Sequence, residues 1–384
     1  MFTKFIYLYW ISILLQELRM FRGLILVNEV QLNREPIYCT CMPYWQCHDN
    51  YTGLSDIVTE VADVRLGSPD IQQMKEISTF TCKEQFHVCC KIECGRRRLS
   101  NYVSDEYGFG TSYELSGRSS LSPFLRPRIL GGDDNEAEFG EFPWMLGILR
   151  NGTFKCGGSL IHPRVALTAA HCVYGRSGSL EVRAGEWDWQ MPNENPPHQN
   201  RFVKMIIIHN KYIPSTVQND IAMLVTDEPF DLTYTVGVVC IPFPNTQYRD
   251  TTCTASGWGE SSYYGGGEQT ILRKTDLPLV EREECTRALQ EARLGPRFFL
   301  DQSFICAGGE EDKDTCRGDG GSPLVCPIKG KEERVEQVGI VSWGLKCGLK
   351  NTPGVYVNVA FFSDWIDSHM RNLGFDTSIY RHIF

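Results

Sequence analysis

Sixteen cysteines, an even number, constrain this 384-residue chain more than any other feature. In an oxidising compartment they would pair off, and each bridge would add about 2 to 4 kcal/mol by restricting the unfolded chain. Secretion is the natural inference, and two N-glycosylation sequons agree with it, at Asn50-Tyr51-Thr52 and Asn151-Gly152-Thr153. Near the start, Lys4 precedes an apolar run from Phe5 to Leu15, long enough for a signal-peptide core and too short to span a bilayer comfortably. No small-x-small cleavage site follows, and a second apolar run occupies Leu24 to Val27. Residues 1–30 are therefore read as a signal-like segment with an open boundary, and no stable membrane insertion is expected. A net charge of −9 and a pI near 5.5 exclude a generic nucleic-acid partner, because no long basic stripe balances the acidic background.

Three regions follow. Seven cysteines crowd the stretch from Cys39 to Cys94. A unit over residues 39–90 is too small to rely on a core and would be stapled by disulfides, whose connectivity stays open among fifteen arrangements for six cysteines. A zinc site is the competing reading, disfavoured by the oxidising context. Residues 91–128 form a linker: from Gly95 to Arg128 the chain is rich in Ser, Gly and Tyr, with several arginines and few aliphatics, and reads as exposed. Across residues 129–370, short apolar runs alternate with Gly, Pro and Asn: Ser159 to Ile161, Val165 to Ala169, Leu180 to Ala184, Val203 to Ile208 and Ile221 to Val225. That is an all-β signature. Phe361, Phe362, Trp365, Ile366 and Met370 have helical spacing and predict a docking C-terminal helix, with 371–384 as a tail.

The stretch Cys316-Arg317-Gly318-Asp319-Gly320-Gly321-Ser322-Pro323-Leu324-Val325-Cys326 resembles the trypsin-like protease pattern Cys-x-Gly-Asp-Ser-Gly-Gly-Pro-Leu-x-Cys. Glycine replaces the nucleophilic serine at 320, serine replaces a later glycine at 322, and no residue is inserted or lost. Ala169-Ala170-His171-Cys172 resembles the histidine motif of the chymotrypsin family and Asp220-Ile221-Ala222-Met223-Leu224 its aspartate motif, in the family's order. Ser256-Gly257-Trp258-Gly259 and Ser342-Trp343-Gly344 also match. The resemblance implies a double six-stranded β-barrel. In that chemistry the histidine takes the serine proton and the aspartate orients the imidazole. Gly320 has no proton to give, so His171 and Asp220 are expected to survive as a hydrogen-bonded pair at the barrel interface. Ser322 is a poor substitute: two residues along an extended segment move a side chain by about 6 to 7 Å, whereas proton transfer needs a hydrogen bond near 3 Å.

Further expectations rest on the same resemblance. Asp314 matches the acid at the base of a trypsin-like specificity pocket and Gly344 and Gly354 its small walls, with the Glu310–Asp314 acidic run as a plain solvated loop in the alternative. The N–H groups of Gly318 and Gly320 match the oxyanion hole. Arg128-Ile129-Leu130-Gly131-Gly132 resembles the activation site, with Asp319 as salt-bridge partner of the freed N-terminus; Arg96, Arg97, Arg98, Arg118 and Arg126 are additional trypsin-type sites. The family pattern pairs Cys156 with Cys172, Cys253 with Cys326, Cys285 with Cys306 and Cys316 with Cys347. Cys94 and Cys240 are left over for an interdomain bridge. Glu186, Asp188 and Glu194 fall in a loop resembling the calcium loop of trypsins, with a solvated acidic loop as the alternative; no cofactor is otherwise required.

The N-terminal six cysteines, including Cys89-Cys90, resemble an arthropod clip domain, which implies the pairs Cys39–Cys89, Cys41–Cys82 and Cys47–Cys90. With Glu138-Phe139-Gly140-Glu141-Phe142-Pro143-Trp144-Met145 and glycine at the serine position, the whole is similar to the clip-domain serine protease homologues. This implies a non-catalytic protein of the haemolymph that acts on an extracellular cascade, with an activating clip protease or prophenoloxidase among its partners. The alternative is an active trypsin-like endopeptidase cleaving after Arg or Lys.

Overall fold

The computed structural model describes residues 39–43, 87–91, 93–98, 135–260, 269–311 and 313–382. The chain divides between residues 92 and 93. In the first unit, β1 (Cys39–Pro43) pairs antiparallel with β2 (His87–Lys91), with Cys41 opposite Cys89 and Thr40 opposite Cys90. Cys47, Cys82 and Asn50 lie outside the described residues, as do the side chains that would form the three clip bridges.

The second unit holds two closed antiparallel barrels of six strands each. The first is built from β3 (Met145–Arg150), β4 (Thr153–His162), β5 (Val165–Thr168), β6 (Leu180–Ala184), β7 (Gln199–Ile208) and β8 (Ala222–Thr226). In β6 the side chains alternate: Leu180, Val182 and Ala184 are buried, while Glu181 and Arg183 are only partly covered, as a strand with one face on a core requires. The second comprises β9 (Thr252–Gly257), β10 (Arg273–Val280), β11 (Phe304–Ala307), β12 (Pro323–Ile328), β13 (Lys331–Trp343) and β14 (Gly354–Asn358). Its core gathers Ala255, Leu277, Leu324, Val338 and Tyr356 around the Cys253–Cys326 disulfide. Each aliphatic side chain taken wholly out of water there contributes about 1.5 to 3 kcal/mol.

Among the described residues, three α-helices connect and close the barrels: α1 (Ala170–Val173), α2 (Arg282–Leu289) and the terminal α3 (Val359–Asn372). Asn358 caps α3 by accepting from Phe361 N at 3.3 Å. Phe362, Ile366 and Met370 make its buried face, whereas Phe361 is 46% exposed and Trp365 is half-buried. The chain stays docked beyond the helix: Tyr380 is buried, its hydroxyl donates to Asp367 at 2.8 Å, and its carbonyl accepts from Ile241 N.

The barrels meet through buried polar contacts. Ser159 in β4 donates to Gln337 in β13 at 2.6 Å, and Gly157 N donates to Gly320 O at 2.9 Å. The second contact holds the Gly320 loop of one barrel against a strand of the other, so the residues singled out by the motifs converge on this seam.

Candidate functional site

His171 lies on α1 directly after β5, and its neighbour Cys172 is tied back to β4 through the Cys156–Cys172 disulfide. Asp220 precedes β8 and is fully buried. Its carboxylate accepts three hydrogen bonds: from His171 N at 2.8 Å, from the His171 ring at Nδ1 at 2.7 Å, and from Ser342 Oγ at 2.6 Å. A carboxylate only accepts, so Nδ1 carries a proton and Nε2 is the ring nitrogen turned away from Asp220. Ser342 comes from the second barrel, so the pair is a polar clasp across the seam. The motif Ser342-Trp343-Gly344 was legible in the sequence, but nothing in it announced this bond.

Gly320 faces that Nε2. A Cβ built on Gly320 would lie 2.8 Å from His171 Nε2 and 3.3 Å from Cε1, so the direction in which any side chain at 320 would project leads to the imidazole. The backbone does not demand glycine there, because only Gly318 and Gly321 of this loop have positive φ, at 94° and 86°. At Gly321 a Cβ would also strike Gly157 O and Thr168 Oγ1, both at 2.4 Å. Glycine is obligatory at 321 and elective at 320. Among the described residues, no acceptor takes the N–H of Gly318 or Gly320. Ser322 points elsewhere: it is 1% exposed, its hydroxyl lies where a Cβ on Gly157 would come within 1.9 Å, and it finds no hydrogen-bond partner among the described residues.

Below this loop Asp319 accepts from Gly259 N at 2.8 Å and from Cys316 N at 2.9 Å. Burial outweighs those bonds and pushes its carboxyl up to about 6. Arg128 and Ile129 lie outside the described residues. Asp314 is turned inward and half-buried, whereas Glu310 and Glu311 are exposed and Asp312 lies outside the described residues. Its carboxylate accepts from Thr315 N at 2.8 Å and Gly348 N at 3.2 Å, and burial raises it to about 7. A Cβ on Gly354 would come within 2.9 Å of Asp314 Oδ1, while one on Gly344 would meet nothing within 4 Å. Gly354 therefore lets the acid pack close to the backbone, while the side-chain direction at Gly344 is open. The Cys316–Cys347 disulfide, with S–S 2.09 Å, fastens the loop that carries it.

The trypsin family profile matches residues 129–366. The chain belongs to the trypsin family. Within it the chain is a clip-domain serine protease homologue: it is 46% identical over 270 residues to phenoloxidase-activating factor 2 of Galleria mellonella, covering 66% of this chain and 89% of that protein. It is 33% identical over 345 residues to inactive CLIP domain-containing serine protease A8 of Anopheles gambiae, covering 87% of this chain and 89% of that one. Inactive CLIP domain-containing serine protease A3 of Aedes aegypti is 42% identical over 343 residues, 86% of this chain and 66% of the relative.

In this homologue the start of the region read as an exposed linker is seated on the second barrel. Cys94 is bridged to Cys240 with S–S 2.09 Å, Gly95 N donates to Val238 O at 2.8 Å, and Gly95 O accepts from Val335 N at 2.7 Å. Arg97 pairs with the buried Glu141, which also takes Lys274 at 2.8 Å. Arg98 stacks on Tyr234 at 4.9 Å, and burial lowers its guanidinium to about 10. The expectation that Arg96, Arg97 and Arg98 are open to proteases is corrected by these contacts: composition alone does not reveal that Glu141 is buried and needs cations. The remaining bridge, Cys285–Cys306, ties α2 to β11.

The acidic loop differs from the expected trio. Glu186 and Glu194 are buried and, with His198 rather than Asp188, offer ligand atoms within 4.8 Å of one another. Asp188 accepts instead from Gln190 N at 3.1 Å. Glu186 Oε2 is engaged by Arg183 at 2.9 Å and His198 at 3.1 Å, and Glu194 Oε1 accepts from Asp188 N at 2.7 Å. Glu186 Oε1 and Glu194 Oε2 have no partner among the described residues, which suits a hard cation. Asn151 is exposed in the β3–β4 turn. Among the described residues, no helix is long and apolar enough to cross a membrane.

Proposed function

We propose that this homologue is a secreted, catalytically inactive regulator of an extracellular proteolytic cascade, prophenoloxidase activation, that holds a partner's basic segment without cutting it. The observation that carries this is Gly320: the imidazole, its aspartate and the loop glycines are assembled, and the residue whose side chain would project at Nε2 is a glycine. In a comparable protease, removing the nucleophile costs about 2 × 10⁶ in turnover. The names of the relatives support the regulatory part, and the inward-turned carboxylate of Asp314, with the open side-chain direction at Gly344, supports the binding part. Asp319 and Arg128-Ile129 support a rearrangement on cleavage, with Cys94–Cys240 keeping the two pieces joined. Glu186 and Glu194 are proposed to take calcium through their two unpartnered oxygens. The competing reading, an endopeptidase working through Ser322, is weakened by the enclosure of that hydroxyl.

Hydrolysis of a fluorogenic arginyl peptide by the protein cut after Arg128, beside G320S treated identically, tests the inactive part. Activity confined to G320S is expected. Equal turnover by the parent would overturn the proposal.

A further inference from the structure

We infer that the Cys94–Cys240 bridge is primed for exchange with thiols, and that Arg334 is the residue that primes it. Arg334, in β13, aims its guanidinium at the bridge: Nη2 lies 3.3 Å from Cys94 Sγ and 3.5 Å from Cys240 Sγ, and Nε donates to Cys94 O at 3.0 Å. Among the described residues, no carboxylate pairs with this cation. The acids nearby are engaged elsewhere. Glu93 and Glu333 bind Arg96 at 3.6 and 3.5 Å, and Glu336 binds the Tyr248 hydroxyl at 2.8 Å and His382 at 3.1 Å. A partly buried guanidinium without a counter-ion therefore stands against both sulfurs, which are themselves 1% and 0% exposed. A neutral disulfide accepts little from such a donor, whereas a thiolate in the same place would form a charge-assisted bond with it.

The reductant is a low-molecular-weight thiol. Its thiolate attacks one sulfur of the bridge, for instance Cys94 Sγ; a mixed disulfide forms, and the Cys94–Cys240 bond breaks with its electron pair leaving on Cys240 Sγ. A second thiolate attacks the small-molecule sulfur of that mixed disulfide, and Cys94 leaves with the electron pair and takes a proton from solvent. Two electrons pass to the bridge, and two small thiols become one disulfide. Because Nη2 reaches both sulfurs, either one leaves beside the guanidinium. Stabilising that anion favours the reduced form, so Arg334 raises the reduction potential of the bridge. The burial of the sulfurs limits how fast they are reached and leaves this equilibrium term in place. In the protein cut after Arg128 the same bridge is a covalent joint between the two pieces, so exchange there is a point of control that follows cleavage.

The test brings the intact full chain to equilibrium in buffers of reduced and oxidised glutathione at neutral pH, traps free thiols with iodoacetamide, and reads the alkylation of Cys94 and Cys240 by mass spectrometry. Hydrogen bonds to a charged group are worth enough that R334Q should need a glutathione ratio, reduced squared over oxidised, about tenfold higher than the parent to open half of the bridge. R334K, which keeps a cation there, should fall near the parent, and the core bridge Cys253–Cys326 should respond alike in all three. A merely structural Arg334 has the opposite sign: it also holds Cys94 O, so its loss would loosen that residue and make the bridge of R334Q easier to open. Equal or easier opening in R334Q would overturn the inference. So would a parent bridge that opens only together with Cys253–Cys326.

Discussion

Cleavage after Arg128 should stabilise the barrel unit at neutral pH and not in acid. Asp319 is raised from 3.8 to about 6 because burial outweighs the two backbone bonds it accepts from Cys316 and Gly259. Ionising it inside the uncut protein therefore costs about 3 kcal/mol relative to the unfolded chain. The sign follows from linkage. An aspartate raised by folding favours the fold below the unfolded value of 3.8, and that contribution is lost as pH rises through the folded value of about 6. An ammonium freed at Ile129 and paired with Asp319 would hold the carboxylate ionised and recover up to about 3 kcal/mol at pH 7. At 2 to 4 °C per kcal/mol for a domain of this size, the melting temperature of the cut protein should exceed that of the intact one by about 6 to 12 °C. Near pH 3.5 the difference should vanish, and D319N should show none at either pH. Differential scanning calorimetry of the four samples is the assay. A cut-minus-intact difference that is absent at pH 7, or equally large at both pH values, would refute the pairing of Asp319 with a new N-terminus.

Other consequences are more local. S322A should stabilise the protein by about 1 kcal/mol, because a buried hydroxyl without a partner is removed; a higher urea midpoint with an unchanged slope would show it. R97A should cost about 2 kcal/mol by leaving the buried Glu141 with Lys274 as its one cation beside the Glu138 N–H, a figure kept low because Arg97 is partly exposed. Limited trypsin digestion followed by mass spectrometry should find Arg96, Arg97 and Arg98 uncut in the parent, and Arg96 and Arg98 cut in R97A. Millimolar calcium should raise the melting temperature of the parent and not of E194Q, as expected for a ligand bound only by the folded state.

Much of this fold is legible in the sequence because a closed barrel leaves few choices. The apolar runs at Val165 to Ala169, Leu180 to Ala184 and Ile221 to Val225 fall on β5, β6 and β8, whose buried positions tolerate little else. The cysteine-bounded motif keeps Gly320 in register, and the structure places it against His171. What escaped reading depends on contacts between distant segments. Arg96, Arg97 and Arg98 look like an exposed basic run until Glu141 and Tyr234 are known to lie beneath them. Asp188 has the right residue type for an ion ligand, but a turn to Gln190 N occupies it, and His198 stands with the two glutamates instead. Phe361 and Trp365 have helical spacing with the buried Phe362 and Ile366, yet periodicity does not show that they sit at the edge of the stripe. The single hydroxyl of Ser342 closes the bond set of Asp220, a partner no local pattern announces.

The central claim is that the scaffold is assembled and only the nucleophile is missing. Labelling with a fluorophosphonate probe, with the modified residue mapped by mass spectrometry, tests it most directly. The protein cut after Arg128 should remain unlabelled, and G320S, once its His171 ring yields the few tenths of an ångström that the 2.8 Å approach requires, should be labelled at position 320 alone. Labelling of Ser322 in the parent, or no labelling of a folded G320S, would contradict it.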